Sequence, residues 1–157
     1  MNKKVLKIIG GLAGAGITVG LSVAYYMFNA PHRDVQAASA DYAINASAIV
    51  AEYLADSNTA NEKYLDSEGE SKVLEINGTV KSITEDFNAQ KVVLLQSETD
   101  EAGVSCTFTA TTNAETNGIS VGQNVSVKGV IRSGAAYDED IEMYEHVILE
   151  KCTIIQS

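Results

Sequence analysis

Two cysteines carry the most reactive side chains of this chain, and each lies in a strand-like run. Cys106 stands within GVSCTFTA and Cys152 within LEKCTII. Such a pair is compatible with a disulfide, a metal site, a catalytic pair or two inert core residues. A structural zinc site needs four ligands, and the chain after residue 33 offers a single histidine, His146. We therefore predict neither a metal nor another cofactor.

A cysteine nucleophile requires a base within hydrogen-bonding reach. His146 precedes Cys152 by six residues in the same run, which separates the two by about 20 Å along an extended strand. It therefore cannot serve Cys152. The sequence also contains no phosphate-binding loop, serine triad or HExxH motif. We expect the protein not to be an enzyme.

An acidic segment, YDEDIEMYEH, covers residues 137–146. Clustered carboxylates suit hard cations, which makes a calcium or cationic-ligand site one interpretation. The spacing is not that of an EF-hand, because a central glycine is missing. A solvated acidic loop is the favoured interpretation. Tyr137 and Tyr144 in this segment are candidate ligand-binding residues.

Four basic residues on predicted strands are further candidates for ligand binding: Lys81, Lys91, Lys128 and Arg132. Residues 34–157 hold all 21 acidic residues but only seven of the 11 basic ones, so their net charge is −14. Binding to nucleic acid depends on lysine and arginine that displace counterions. Tryptophan is absent and only three phenylalanines occur, which argues against an aromatic stacking platform. Nucleic acid is therefore a disfavoured partner.

The N-terminal residues 1–33 predict a membrane anchor. Three lysines lie in residues 1–7, and residues 8–28 carry no charge. This uncharged run spans about 30 Å as a helix, the thickness of the bilayer core. A signal peptide cleaved late, at small residues such as Ala37-Ala38-Ser39, is the alternative, although signal peptides usually have a shorter run and an earlier cleavage site. A buried helix of a water-soluble protein is disfavoured, because glycines weaken a helix in water. The lysines predict a cytoplasmic N-terminus and a body outside the cytoplasm.

The body is predicted to consist of a helical spacer, residues 34–71, and a barrel, residues 72–157. Helical spacing extends from Ala38 to Tyr64, with a break near residues 56–59 that Ser57 or Asn58 would cap. After residue 72 the hydrophobic period becomes two. Five strands are predicted, at residues 72–83, 91–97, 103–109, 121–131 and 146–155.

Five short strands with glycines inside the first and fourth predict a small, strongly bent barrel of the OB-fold type. The runs LEINGTVKSI, VVLLQS, GVSCTFT, VGQNVSVKG and VILEKCTI, preceded by NEKYLD, resemble the tRNA_anti-like OB-fold family over roughly residues 48–155. The resemblance implies a bacterial envelope protein that is membrane-anchored or exported. The family name does not by itself imply binding to tRNA, because function depends on sites rather than on the fold.

The OB-fold places its third and fifth strands side by side, which would bring Cys106 close to Cys152. Outside the cytoplasm such a pair is expected to oxidise if its geometry permits, while two buried thiols are the alternative. A bulge at residues 150–151 would turn Cys152 inward.

Together these features predict a membrane-anchored, extracytoplasmic binding or interaction module. Its ligand, a protein, a peptide or a small molecule, is expected on the first three strands and on the loops at 84–90 and 135–145. Binding of nucleic acid by the same fold is the alternative.

Overall fold

The computed structural model describes residues 18–26, 34–66 and 70–155. The chain divides into two units, Met1–Arg33 and Asp34–Ser157, which are described separately. In the first unit, residues 18–26 are helical. Among the described residues, no helix combines the length and the apolar character that crossing a bilayer requires. Most of the predicted span, residues 8–28, lies outside the described residues, so the anchor stays a prediction.

The second unit contains two α-helices, one 3₁₀ helix and eight strands among its described residues. In chain order these are β1 (Tyr42–Asn45), α1 (Ala46–Ala55), α2 (Ser57–Tyr64), β2 (Val73–Glu85), β3 (Lys91–Leu95), β4 (Val104–Phe108), the 3₁₀ helix (Asn113–Gly118), β5 (Asn124–Ser133), β6 (Ala136–Asp138), β7 (Met143–Glu145) and β8 (Val147–Ile155).

Five of these strands close into a barrel in the order β2-β3-β4-β8-β5, and β5 pairs back with β2. Strands β4 and β8 are parallel, and the other barrel pairs are antiparallel. The long β2 pairs with β5 through its first half and with β3 through its second half, with an irregularity between Val80 and Ser82. This is the OB-fold arrangement. The predicted mainly-β class and the five-strand barrel are therefore confirmed.

The residues that face the barrel interior alternate along each strand as the hydrophobic pattern predicts, except at one place in β8. Val104, Cys106 and Phe108 of β4 are fully buried, as predicted. In β8, Leu149 and Cys152 are both buried, although strict alternation would place them on opposite faces of the strand. Lys151 between them has a φ of 54°, and the register against β4 shifts there. The predicted bulge at residues 150–151 is confirmed.

The expected helix from Ala38 onward is wrong at its beginning. Residues Tyr42–Asn45 form β1 and pair in parallel with Leu74–Asn77 of β2. Asp41 fixes this register, because its backbone N–H donates to Val73 O and its carboxylate accepts from Val73 N at 2.8 Å. Tertiary pairing with β2 therefore overrides the local helical spacing.

The break between the two helices lies where it was predicted, but its cap differs. Asp56, rather than Ser57 or Asn58, is the N-cap of α2, and its carboxylate accepts from the N–H of Thr59 at 3.1 Å. The preceding helix α1 buries Ala46, Ile49, Val50 and Tyr53, which belong to the same hydrophobic cluster as the barrel interior. Helix α1 thereby covers part of the barrel core.

Candidate ligand-binding groove

The four basic residues predicted to bind a ligand each have a partner within the protein. Lys81 Nζ donates to Gln96 Oε1 at 2.9 Å. Lys91 and Arg132 form ion pairs with glutamates on neighbouring strands, Lys91 with Glu85 and Arg132 with Glu150, each at 2.8 Å. The three basic side chains therefore do not gather around a common partner, because each is bonded to a different residue.

Lys128 has a structural role in the lead-in to β1. Its ammonium donates to the carbonyls of Gln36, at 2.7 Å, and Ala38, at 2.9 Å. Val35 in the same turn is buried against Val73 and Val130. The lysine thus holds residues 35–38 on the barrel surface, and a ligand would have to displace two hydrogen bonds to reach its charge.

The two predicted tyrosines, in contrast, come together. The segment expected to be a loop is a two-stranded hairpin in which Tyr137 of β6 lies directly opposite Tyr144 of β7. Their ring centroids are 4.9 Å apart and the rings are inclined by 55°. Tyr137 remains 49% exposed. The hairpin therefore pairs the exposed ring of Tyr137 with the ring of Tyr144, which is partly buried against the core.

This ring pair forms one wall of a groove of about 730 Å³, called here the tyrosine groove. Helix α1 and its end supply another part of the lining, and the turn before β4 and the connection from β5 to β6 complete it. The lining residues are Tyr53, Leu54, Ala55, Asp56, Ser57, Glu101, Ala135, Ala136, Tyr137 and Tyr144.

Tyr53 is the most unusual residue of this lining. Its side chain is only 2% exposed, and its ring stacks on that of Tyr64 with centroids 6.0 Å apart. Its hydroxyl is the buried side-chain oxygen that lacks a hydrogen-bond partner within the described part of the chain. Burial raises the pKa of Tyr53 to about 12, so the hydroxyl is neutral. Buried polar groups normally have partners, which singles this position out.

The ionisable carboxyls around the groove give it a negative character. The carboxylate of Glu101 raises the pKa of the Tyr144 phenol. Among the described residues that line the groove, none is basic. The hairpin adds five further carboxylates, Asp138, Glu139, Asp140, Glu142 and Glu145. Asp138 accepts from the N–H groups of Asp140 and Ile141, at 2.8 and 3.3 Å, and so shapes the tip of the hairpin.

A second groove, of about 780 Å³, has a different character. Its polar lining consists mainly of uncharged side chains, including Asn77, Gln123 and Asn124. The carboxylate it contains, Glu115, already accepts from Thr153 Oγ1 and from the N–H of Ile154. No buried polar group without a partner lines this groove in the described chain.

Both cysteines lie inside the barrel and belong to its hydrophobic core cluster. Both are free thiols with no exposed surface. Burial raises the pKa of the Cys152 thiol well above its usual range, and the neighbouring Cys106 thiol raises it further. Gly129 makes room for this pair, because a β-carbon there would lie 2.6 Å from Cys152 Sγ. A bond between Cys106 and Cys152 stays a prediction.

The acidic segment and His146 do not form a metal centre among the described residues. His146 Nδ1 accepts from the N–H of Gly103 at 3.1 Å, and burial lowers its pKa. Within residues 18–26, 34–66 and 70–155, no three or more His, Cys, Asp or Glu residues converge in a way that could hold a metal ion.

Sequence reasoning missed the role of two residues in the tyrosine groove. Nothing in the sequence singles out Tyr53 or Glu101 as a site residue. These residues are far from Tyr137 along the chain, so the sequence does not show that the fold brings them together. The run Gly134-Ala135-Ala136 was the available signal, because small residues after a strand allow a helix to approach closely.

Comparisons with known proteins agree with this fold. The model of the tRNA_anti-like family matches residues 1–140. A crystal structure of a lipoprotein from Klebsiella pneumoniae, to which binding of nucleic acid is ascribed, superposes with a TM-score of 0.52 and 12% identity. The match covers 72% of this chain and 91% of that chain. At this identity the likeness concerns the fold alone. The search of curated proteins gave no match.

Proposed function

Because the chain belongs to the tRNA_anti-like family, we propose that it is an OB-fold binding module, not an enzyme, with its ligand site in the tyrosine groove. The observation that carries the proposal is the Tyr53 hydroxyl, which is buried without a partner among the described residues, in a groove that also holds the paired rings of Tyr137 and Tyr144. Binding sites combine apolar and aromatic walls with a few polar groups that lack internal partners.

The module is held at a membrane by its N-terminal segment, with the body outside the cytoplasm. Two features of the sequence support this part of the proposal: the uncharged run at residues 8–28 and the three lysines that precede it. The lipoprotein of similar fold is consistent with an envelope location. The net charge of −14 after residue 33 keeps such a body soluble.

The ligand is not a polyanion. Affinity for a nucleic acid comes largely from lysines and arginines that neutralise phosphates. On this barrel Lys81, Lys91 and Arg132 are bonded to side chains, and Lys128 is bonded to two carbonyls. Phosphates would have to break these bonds against an excess of negative charge. A protein, a peptide or a small molecule fits the surface better.

Binding of nucleic acid is the second candidate, and one observation favours it. The K. pneumoniae protein of the same fold is described as nucleic acid-binding. OB-fold proteins hold oligonucleotides on the face of their second and third strands, which here are β3 and β4. Lys91 and Lys81 flank this face from β3 and β2, so they are the residues on which such binding would depend.

Fluorescence anisotropy separates the two candidates. Full-length protein in a non-ionic detergent is titrated against labelled dT12 and rU12 at 20 and 200 mM NaCl. We expect no saturable binding at protein concentrations up to about 100 µM, the weak end of non-specific affinities. Two results together would establish the second candidate. The original protein would bind saturably, with an affinity that falls steeply as the salt concentration rises. The double variant Lys81→Ala/Lys91→Ala would lose this binding, whereas Tyr137→Ala would keep it.

A further inference from the structure

The tyrosine groove combines two chemical features that together select for one class of ligand. The ring centroids of Tyr137 and Tyr144, which both line the groove, lie 4.9 Å apart, and the face of a phenol ring attracts a cation electrostatically. The ionisable carboxyls of the lining, Asp56 and Glu101, have the complementary charge. Asp56 is engaged in capping α2 through Thr59, so Glu101 is the lining carboxylate left to balance a cation at the ring pair.

The same protein already shows this chemistry at another place. Lys63 Nζ lies 4.6 Å from the ring centroid of Tyr64 and 5.5 Å from that of Tyr42. Glu52 pairs with this ammonium at 2.9 Å. Two tyrosine rings and one carboxylate thus hold an ammonium group in the folded chain. The tyrosine groove offers two rings and one carboxylate as well, but none of its described lining residues is basic.

The hydroxyl of Tyr53 adds a directional element. It can accept a hydrogen bond, and no described residue donates one to it. Gly134 packs against the ring of Tyr53, and this ring also stacks on Tyr64, so the phenol is held in place. A donor on a bound ligand would satisfy this oxygen. Because the hydroxyl is buried in the free protein, part of the groove lining must shift to admit the donor.

We propose that the tyrosine groove binds an organic ammonium group, whose charge lies against the rings of Tyr137 and Tyr144 and is balanced by Glu101. This inference rests on the proposed function, since it names the ligand class of the same site. The groove volume of about 730 Å³ exceeds that of an ammonium group alone. The remainder of the ligand therefore extends along α1 past Leu54. The ammonium is either that of a quaternary amine or that of a lysine side chain.

Nuclear magnetic resonance of the tyrosine rings tests this proposal. Full-length protein with ¹³C-labelled tyrosine, in a detergent without amines, is titrated with choline, with its neutral isostere 3,3-dimethyl-1-butanol, and with Nα-acetyl-lysine amide. We expect saturable shifts of the Tyr137 and Tyr144 signals with choline or the lysine derivative, and at least fivefold weaker binding of the isostere. The stronger of the two cations identifies the source of the ammonium group.

Two variants provide the controls. Tyr137→Leu keeps the apolar bulk at a half-exposed position but removes the ring, and should weaken cation binding about threefold to thirtyfold. Glu101→Gln removes the charge and should also weaken it, while binding of the neutral isostere changes little. Equal binding of choline and the isostere, or ring shifts that persist in both variants, would overturn the proposal.

The result also separates this inference from the proposed function. If neither cation binds, but a photoreactive residue at position 137 still captures a ligand in cells, then the ligand class is wrong and the binding module stands. If both experiments fail, the proposed function itself is wrong.

Discussion

Gly134 packs directly against the ring of Tyr53, so closely that a β-carbon at residue 134 would overlap the ring carbons. The contact joins the end of β5 to helix α1 and thereby sets the position of the tyrosine groove. It also explains why a residue without a side chain follows β5. We expect Gly134→Ala to push Tyr53 out of its site and to lower the free energy of unfolding by about 1–3 kcal/mol, as overpacking of a core does.

The matched control for this substitution is Gly118→Ala. Gly118 ends the 3₁₀ helix, and a β-carbon there would meet no atom within 4 Å. Its effect should stay within about 0.5 kcal/mol. Urea denaturation of the two variants checks the difference. Equal stability of both variants would show that Tyr53 moves aside without cost and that the contact does not hold the groove.

The hydroxyl of Tyr53 should contribute nothing to folding. It is buried and has no hydrogen-bond partner among the described residues, so its removal in Tyr53→Phe should leave stability unchanged or raise it by about 1 kcal/mol. Tyr64 provides the contrast, because its hydroxyl donates to Glu52 at 2.9 Å. Tyr64→Phe should cost about 1–2 kcal/mol. A loss of stability in Tyr53→Phe as large as that in Tyr64→Phe would reveal a partner for the Tyr53 hydroxyl and would remove the main support for the site.

His146 should make stability depend on pH in a narrow range. Burial, and to a smaller extent the charge of Lys81, lower its pKa in the folded protein below the ordinary value of 6.5. Between the two pKa values the unfolded chain binds more protons, so stability rises with pH. The contribution is fully present above pH 6.5 and is lost as the pH falls toward the folded pKa.

Comparison with His146→Gln measures this contribution. Glutamine can still accept from the N–H of Gly103, the donor that His146 Nδ1 uses, but it does not titrate. Urea denaturation between pH 7.5 and 5.5 should show a smaller loss of stability in the variant than in the original protein. The same loss in both proteins would assign the pH dependence to other groups.

Phe87 allows the location of the body to be measured. It lies fully exposed in the turn between β2 and β3, whereas Cys106 and Cys152 are fully buried. In cells with a sealed cytoplasmic membrane, an impermeant maleimide should label Phe87→Cys and leave the original protein unlabelled. Labelling of Phe87→Cys only after lysis would place the body in the cytoplasm and would contradict the proposed location.

The five-strand barrel could be predicted from the sequence because each strand carries its own signal. The alternation of Val104, Cys106 and Phe108 identifies an inward face, and the conflict of parity around Cys152 identifies the bulge at residues 150–151. Strand β1 could not be predicted, because Tyr42–Asn45 become extended only through pairing with β2. Local periodicity contains no information about such a partner.

The candidate site was predictable only in part, for the same reason. Tyr137 and Tyr144 stand out by type and by their place in an acidic segment. The basic residues were equally plausible from the sequence, and only their partners in the folded chain, such as Glu85 for Lys91 and Glu150 for Arg132, show that they are engaged. The missing partner of Tyr53 is likewise a property of three-dimensional packing.

One measurement tests the central claim, that the protein binds a ligand other than nucleic acid through the tyrosine groove. A photoreactive benzoylphenylalanine is placed at position 137 in the groove or, in a second variant, at position 84 on the exposed face of β2. Each variant is irradiated in cells, and the mass of the protein is then measured by mass spectrometry. We predict an adduct at position 137 that resists nuclease, and none at position 84. A nuclease-sensitive adduct at position 84, or no adduct at position 137, would contradict the claim.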